Sequence, residues 1–508
     1  MYGTFWALVP PFLAIILALV TKEVFTSLFA GILVGALFAT SGNIIKTMDL
    51  IVVDGLSGAV ADGAGNFCFL VILGILVAMI NKSGGSAAFG RWAETHIKTR
   101  AGAQIATFIL GVLIFIDDYF NCLTVGSVMR PVTDRHNISR AKLAFLIDAT
   151  AAPVCMIAPI SSWAAAVSGV ADDLGTGITG IQLFLRAIPY NYYSILTLVF
   201  IVALVFMRFD YGPMSVAEAS ARLNGDLGAQ AGDDTEAGNP RGRIIDLVLP
   251  VVVLVVVVFL AMLYVGGFFG VDAWGGTDCA GDFIGAFGNT DAFIALPWGG
   301  LIALVFSFFY FLIRRTLSFK EATDCIPQGF VAMVPPILIL VLATTLKTMT
   351  STLGAADYVH GLMEGAAAGL FSMLPAVIFV VAVILAISTG TSWGTFGILI
   401  PIVVAMFPAD SSLLMIGISA CLAGAVCGDH CSPISDTTIM ASAGAQMDHV
   451  QHVSTQMPYA LTVAGISFVN YIIAGFVQNA AICLVTGVVL TILALLVIRA
   501  TIGKRETA

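Results

Sequence analysis

The sequence predicts an all-α polytopic membrane protein. Of its 508 residues, 59% are hydrophobic and only 10% are charged, whereas about 25% of the residues of a soluble domain carry a charge. Several apolar runs are close to or above the length of about 20 residues that a helix needs to cross a membrane. These runs lie at residues 5–20, 24–40, 191–207, 244–265, 293–313, 459–477 and 480–498. A bacterial-type cell inner membrane is the expected location.

The charged loops predict the course of the first half. Two basic loops flank residues 104–129, and the positive-inside rule assigns both loops to the cytoplasm. A single crossing would separate them, so this segment is expected to be a re-entrant hairpin with Asp117 and Asp118 near its tip. Pro153 and Pro159 then predict a broken helix at about 142–169. Irregular backbone at membrane depth requires a cover of protein or water.

The second half is predicted to repeat the first half in inverted topology. Gly84 and Pro131 recur as Gly354 and Pro401 at the same offset. The corresponding loops of the second copy contain no Lys or Arg between residues 348 and 412, so the two copies should face opposite sides, as in inverted-repeat transporters.

This organisation divides the chain into four parts. The boundaries are residues 1–209 for the first inverted repeat, 210–243 for a flexible cytoplasmic linker, 244–478 for the second inverted repeat, and 479–508 for an extra span with a cytoplasmic tail. The second repeat is expected to contain a hairpin at about 374–407 and a broken helix at about 412–445. The acidic loop at residues 266–291 is expected to be external, which places the N-terminus outside and the C-terminus in the cytoplasm.

Four polar interruptions are expected at comparable depth in the membrane. They combine carboxylates and hydroxyls with Gly or Pro, and unwound carbonyls add more of the hard oxygen ligands that bind cations. One buried carboxylate can hold either a proton or Na⁺, and alternate occupancy is the simplest antiport mechanism. The predicted residues for binding a cation, a proton or a substrate are Asp117, Asp118, Asn121, Ser161, Ser162, Thr391, Ser392, Asp429, Ser432, Ser435, Asp436, Thr437 and Thr438. Asp117, Asp118 and Asp436 are the principal acids, with Asp429 next.

Structural roles remain alternatives for several of these residues. Hydroxyls in membrane helices often bond backbone carbonyls, and one acid of the Asp117-Asp118 pair could cap the second hairpin arm. Asp148 is interpreted as a structural partner of Arg130 or Lys142, outside the binding site.

His430 has two alternative roles, proton carriage or a structural hydrogen bond. It adjoins Cys431, but no second His or Cys pair has the spacing of transition-metal ligands. The sequence therefore predicts no transition-metal site and no cofactor apart from Na⁺ as a transported or coupling ion.

Three motifs resemble those of the NhaC-type sodium/proton antiporter family. The stretch at residues 428–438 reads GDHCSPISDTT, residues 115–119 read FIDDY and residues 159–163 read PISSW. The resemblance covers most of both halves. It implies the ion-transporter superfamily architecture, with a scaffold domain, a mobile domain holding two opposed hairpins, elevator motion and a homodimer. The family also includes exchangers of small organic acids.

The leading functional prediction is a Na⁺/H⁺ antiporter with Na⁺, H⁺ and the lipid bilayer as its partners. The alternative is a Na⁺- or H⁺-coupled carrier or exchanger of a small organic acid or amino acid, for which Arg130 is the main counter-charge. A buried basic residue or cavity near the hairpin tips would favour this alternative. An intramembrane aspartyl hydrolase would need two acids close enough to share a proton. Neither an enzyme nor a nucleic-acid-binding protein is expected.

Overall fold

The computed structural model describes most of the chain. The described residues are 2–21, 23–115, 118–159, 161, 163–164, 167, 180–229, 239–355, 357–358, 361, 371–408 and 411–506. Within these ranges every regular element is a helix, which confirms the all-α prediction.

The helices of the first half are joined mainly by short turns. They are α1 (Val9–Thr21), α2 (Val24–Ala39), α3 (Ile44–Asp49), α4 (Gly58–Lys82), α5 (Gly85–His96), α6 (Arg100–Leu113), α7 (Asp118–Arg135), α8 (Arg140–Cys155), α9 (Gly180–Ala187), α10 (Tyr192–Met207) and α11 (Pro213–Asn224). A π-helical segment, Leu50–Ser57, connects α3 to α4.

The second half begins after residue 244. Its helices are α12 (Ile245–Val265), α13 (Phe283–Gly288), α14 (Ala292–Ile313), α15 (Phe319–Thr352), α16 (Leu374–Thr389), α17 (Ser392–Met406), α18 (Ser412–Cys431), α19 (Asp436–Ala445), α20 (His449–Val477) and α21 (Ala480–Glu506).

Six of the described helices, α12, α14, α15, α18, α20 and α21, are long and apolar enough to cross a membrane. The number of such spans rises to eight if two bent helix pairs are each counted as one. The 34-residue α15 was not among the predicted apolar runs, because Pro335, Pro336 and Lys347 interrupt its hydrophobic pattern. The polytopic membrane character agrees with the composition.

The polar helices lie at the centre of the bundle and the most apolar helices lie outside. Every residue of α8 is buried, and so is every residue of α18 from Leu413 to Cys431. By contrast, α21 exposes large apolar side chains such as Val485 and Val497. Exposed apolar faces on long helices suit contact with lipid tails, so the broken, polar α18 is shielded from lipid by protein.

Helices end within all four predicted interruptions, including the one that begins at Pro153, where α8 ends at Cys155. α6 ends at Leu113 before α7 begins at Asp118, α16 ends before α17, and α18 ends before α19. Gly390 ends α16 with a φ of +64°, and a Cβ atom there would lie 2.4 Å from the Ile434 carbonyl oxygen. Glycine is therefore required both by this backbone conformation and by the close approach of the α18–α19 break. The re-entrant course of the hairpins remains a prediction.

Two glycines allow α7 and α19 to cross in backbone contact. A Cβ atom on Gly444 would lie 2.4 Å from the Cys122 carbonyl oxygen, and one on Gly126 would lie 2.5 Å from the Gly444 backbone. Small residues at helix crossings are the main device for close packing in membranes. This contact joins the second arm of the first hairpin to the second broken helix.

A Gly444→Ala substitution is expected to destabilise the protein by about 1–3 kcal/mol, because the added methyl group overpacks this crossing. The measurement is thermal unfolding of the purified protein in detergent. Gly465→Ala in α20 is the matched control, since nothing lies within 4 Å of its Cβ position. Equal unfolding temperatures for the two variants would contradict the tight crossing.

Part of the predicted flexible linker is a docked helix. Within residues 210–243, α11 begins with Pro213 and ends before Gly225, which has a φ of +69°; both are ordinary helix-end signals. Glu218 is buried and accepts a hydrogen bond from the Ser139 backbone nitrogen at 2.8 Å. The sequence interpretation missed this helix because the segment has few aromatic residues and buries only Met214, Glu218 and Ala221.

A buried ion pair stabilises the turn between α10 and α11. Lys142 Nζ lies 2.6 Å from Asp210 Oδ1, and the Tyr459 hydroxyl donates to the same oxygen at 2.6 Å. Burial alone would raise the pKa of Asp210, but the Lys142 charge and these hydrogen bonds hold that pKa below its ordinary value. Lys142 is therefore paired with Asp210, and the predicted Lys142–Asp148 pair is wrong.

Candidate functional site

The break between α18 and α19 is held by hydrogen bonds from three directions. The Ser435 hydroxyl caps α19 by accepting from the Thr438 backbone nitrogen at 3.1 Å. The Ser432 hydroxyl donates to the Ile387 carbonyl oxygen of α16 at 2.9 Å. From α20, His449 Nε2 lies 2.7 Å from the Pro433 carbonyl oxygen, which can only accept. The irregular backbone is thus satisfied by protein at a buried location.

Two aspartates connect the first hairpin to the start of α19. The Tyr119 hydroxyl donates to Asp436 Oδ2 at 2.6 Å, and Asp436 Oδ1 accepts from the Thr437 backbone nitrogen at 2.9 Å. The Thr437 hydroxyl donates to Asp118 Oδ2 at 3.2 Å. Asp118 and Asp436 each lie in the first turn of a helix, where the helix dipole favours negative charge.

Among the buried acids of the described part of the chain, Asp429 has the weakest hydrogen bonding. It is fully buried in α18, and neither of its oxygens accepts a hydrogen bond of ordinary geometry from a described residue. The Ser435 and Ser392 hydroxyls act on it as weak donors, and the Asp436 carboxylate opposes its negative charge. A buried carboxylate without donors is costly unless a proton or a cation neutralises it.

Lys347 supplies a positive charge near the second hairpin. It projects from α15, is partly buried, and interacts electrostatically with Asp436. Its Nζ lies 3.6 Å from the position of a Cβ atom on Gly394, in the first turn of α17. The sequence interpretation did not select Lys347, although a lysine in an apolar 34-residue helix is itself a functional signal.

Asp148 lies in a second polar cluster, contrary to the prediction that it pairs with Arg130 or Lys142. Its Oδ2 accepts from the Thr438 hydroxyl at 3.0 Å and from Gln456 Nε2 at 2.6 Å. His452 Nε2 lies 3.3 Å from the same oxygen. Thr438 is therefore shared between this cluster and the break.

His430 belongs to the Asp148 cluster. Its Nε2 faces the Asp148 carbonyl oxygen at 3.1 Å, and its Nδ1 faces the Tyr193 hydroxyl at 3.1 Å. The carbonyl can only accept, so Nε2 carries a proton and Nδ1 can accept from Tyr193. A cavity of about 10 Å³ beside His430 has room for about one water molecule.

The polar face of α20 was missed by the sequence interpretation. His449, His452 and Gln456 follow one another at intervals of three and four residues, which places them on one helical face. Their grouping at the start of an otherwise apolar helix was a usable signal.

Several predicted binding residues make structural hydrogen bonds. The Asn121 amide donates to the carbonyl oxygens of Gly111 and Ile114 at 2.6 and 2.8 Å, which satisfies the broken end of α6. The Ser161 hydroxyl donates to the Cys155 carbonyl oxygen at 2.7 Å. Thr391 is the residue preceding α17 and is buried. Asp117 and Ser162 lie outside the described residues, so the geometry bears on neither.

Comparison with known proteins identifies the family. The model of the Na⁺/H⁺ antiporter family matches residues 154–476. The chain belongs to the Na⁺/H⁺ antiporter family. The resemblance found in the sequence is thereby confirmed, and the protein is a member of a family of secondary transporters.

Several curated proteins are similar to the chain to different extents. An uncharacterized protein of Haemophilus influenzae is 37% identical and covers 98% of this chain and 96% of its own length. The malate-2H⁺/Na⁺-lactate antiporter of Bacillus subtilis is 28% identical over 37% of this chain and 43% of its own length. An uncharacterized Na⁺/H⁺ antiporter of Haemophilus influenzae is 28% identical over 34% of this chain and 37% of its own length.

Proposed function

We propose that the protein exchanges Na⁺ for H⁺ and that Asp429 is the group that the two ions occupy in turn. The observation that carries this proposal is the fully buried Asp429 carboxylate, whose two oxygens accept no hydrogen bond of ordinary geometry from the described residues. Asp118 and Asp436 each accept hydrogen bonds, so their lone pairs are less available to an ion. Asp429 therefore replaces them as the leading candidate.

The exchange follows from charge neutralisation. Protonation and Na⁺ binding each remove the cost of a bare buried carboxylate, and the two are mutually exclusive at one carboxylate. Carboxylate and hydroxyl oxygens are suitable ligands for a hard cation, and the Ser392 and Ser435 hydroxyls lie beside Asp429. Asp118 and Asp436 would orient the starts of α7 and α19 around the ion. No catalytic step is part of this function.

We extend the proposal to the architecture that the family resemblance implies. The order of a helical hairpin followed by a buried helix occurs twice, as α6–α7 with α8 and as α16–α17 with α18–α19. This order supports two repeats. The distribution of Lys and Arg among the loops favours their inversion, with the N-terminus outside and the C-terminus in the cytoplasm. Elevator motion and a homodimer complete the proposal.

Transport in proteoliposomes tests the function directly. Purified protein is reconstituted with an internal pH-sensitive dye, and Na⁺, Li⁺ or K⁺ is added outside. Na⁺ addition is expected to drive proton movement that protein-free liposomes do not show. Absence of cation-linked proton movement in liposomes that contain folded protein would overturn the proposal.

Lys347 favours a second candidate, the coupled transport of a small organic acid. Its ammonium group near α17 is suited to a substrate carboxylate, and one relative of this chain is named a malate-2H⁺/Na⁺-lactate antiporter. In the same liposomes, uptake of labelled lactate or malate under a Na⁺ or pH gradient would support this candidate. Loss of that uptake in Lys347→Gln, with Na⁺-driven proton movement retained, would assign Lys347 to the organic anion.

A further inference from the structure

A basic cavity lies away from the candidate ion site, at the end of the bundle where the basic loops gather. It has a volume of about 260 Å³ and is bounded by the first turns of α6 and α8 and by the turn between α10 and α11. Arg100, Lys142, Arg208 and Arg222 line it, together with the single carboxylate of Asp210. The cavity is smaller than most drug-sized ligand pockets, which begin at about 300 Å³.

The cavity keeps a net positive charge after its ion pairs are counted. Lys142 is neutralised by Asp210 at 2.6 Å. Arg100 forms a short ion pair with Glu218, and Arg222 lies 3.8 Å from the same carboxylate. Two acids thus offset two of the four cations. No described carboxylate pairs with Arg208, so the cavity offers an excess positive charge to an anion.

The neighbouring helix α11 places this cavity at the level of the lipid headgroups. α11 buries Met214, Glu218 and Ala221 against the bundle. Val216 and Leu223 lie on its other side and are 70% and 83% exposed; seven residues separate them, so they share one face. An exposed apolar stripe beside basic side chains suits a helix that lies in the plane of a membrane interface. Lipid tails would cover the stripe while headgroups reach the cavity.

We propose that this cavity binds the phosphate-bearing headgroup of an anionic phospholipid. Arg208 and Arg222 would contact the phosphate, and the acyl chains would lie along the exposed face of α11. Basic pockets between membrane helices on the cytoplasmic side are suited to such headgroups. The bound lipid would link α11 to the first turn of α8. The same helix α8 carries Asp148 further along its length.

The test measures lipid-dependent thermal stability of the full-length protein in detergent, without any transport assay. The probes are phosphatidylglycerol, phosphatidylcholine and inorganic phosphate, each added separately. Phosphatidylglycerol is expected to raise the unfolding temperature of the wild type, and phosphatidylcholine is not. Equal stabilisation by phosphatidylcholine, or full stabilisation by inorganic phosphate alone, would overturn the proposal of an anionic lipid site.

Charge-removal variants locate the site. The Arg208→Gln/Arg222→Gln double variant is expected to need about thirtyfold more phosphatidylglycerol for the same stabilisation, at about 1 kcal/mol for each lost charge near the membrane surface. Arg241→Gln/Lys320→Gln is the matched control, because both residues are exposed and neither lines the cavity. An unchanged lipid response in the cavity variant would overturn the assignment. Arg222→Gln alone, at an exposed helix position, serves if the double variant does not fold.

Discussion

Asp429→Asn is expected to abolish Na⁺-driven proton movement, reducing it to the leak of protein-free liposomes. Asparagine has nearly the same shape but carries no charge at any pH, so it can neither release a proton nor neutralise Na⁺. The same variant is expected to unfold at a temperature no lower than the wild type, because Asp429 accepts no hydrogen bond from the described residues. The measurements are dye-reported proton flux and thermal unfolding in detergent.

Ion binding provides an independent readout for the same variant. A ligand that binds only the folded state stabilises it by about 2.7 kcal/mol at a concentration one hundred times its Kd. Na⁺ should therefore raise the unfolding temperature of the wild type but not of Asp429→Asn. Asp278→Asn, an exposed loop substitution, is the control and should respond to Na⁺ as the wild type does. Wild-type flux in Asp429→Asn would exclude Asp429 as the ion-carrying group.

The helix breaks could be predicted because their causes are local in the sequence. Gly390 supplies the left-handed backbone that ends α16. Ser435 supplies the cap that starts α19, and Pro433 between α18 and α19 disfavours continuous helix. Such signals act within a few residues, so a single sequence contains them. Their depth in the membrane, which the surrounding apolar runs predict, stays a prediction.

The division between ion-binding and structural side chains could not be predicted in the same way. Asp148 meets Thr438 and Gln456, which are about three hundred residues away in the chain. No periodicity encodes such a pairing. Likewise, the Asn121 amide nitrogen donates to carbonyl groups at the end of α6, while its Oδ1 atom, the atom that a cation would bind, accepts no hydrogen bond from the described residues. These assignments depend on which polar groups meet in the folded chain. A buried oxygen atom that already accepts a hydrogen bond has less need of an ion as a partner.

The structure favours a different aspartate from the sequence as the group that binds the ion. A sequence-based ranking favours acids near the hairpin tip and at the start of α19, since both segments contain many polar residues. In the structure, Asp118 and Asp436 each accept hydrogen bonds from neighbouring side chains or backbone, whereas Asp429 lies inside a buried helix with only the weak donors Ser392 and Ser435 beside it. A fully solvated or fully hydrogen-bonded acid has little need of an ion. The least satisfied acid is therefore the best candidate for ion exchange.

Asp148→Ala is expected to destabilise the protein by about 3–5 kcal/mol, the cost of removing one partner from a buried charged cluster. The substitution leaves the Thr438 hydroxyl and the Gln456 amide without their acceptor at a site where Asp148 is fully buried. Asp148→Asn should be milder, because its amide oxygen still accepts hydrogen bonds. Thermal unfolding in detergent measures the effect, with the exposed Asp226→Ala as the control. An Asp148→Ala variant that unfolds at the wild-type temperature yet transports no protons would instead make Asp148 a proton carrier. Asp429 differs from Asp148 in this respect, since a carboxylate with several strong donors stabilises the fold and one with only weak donors is more available to an ion.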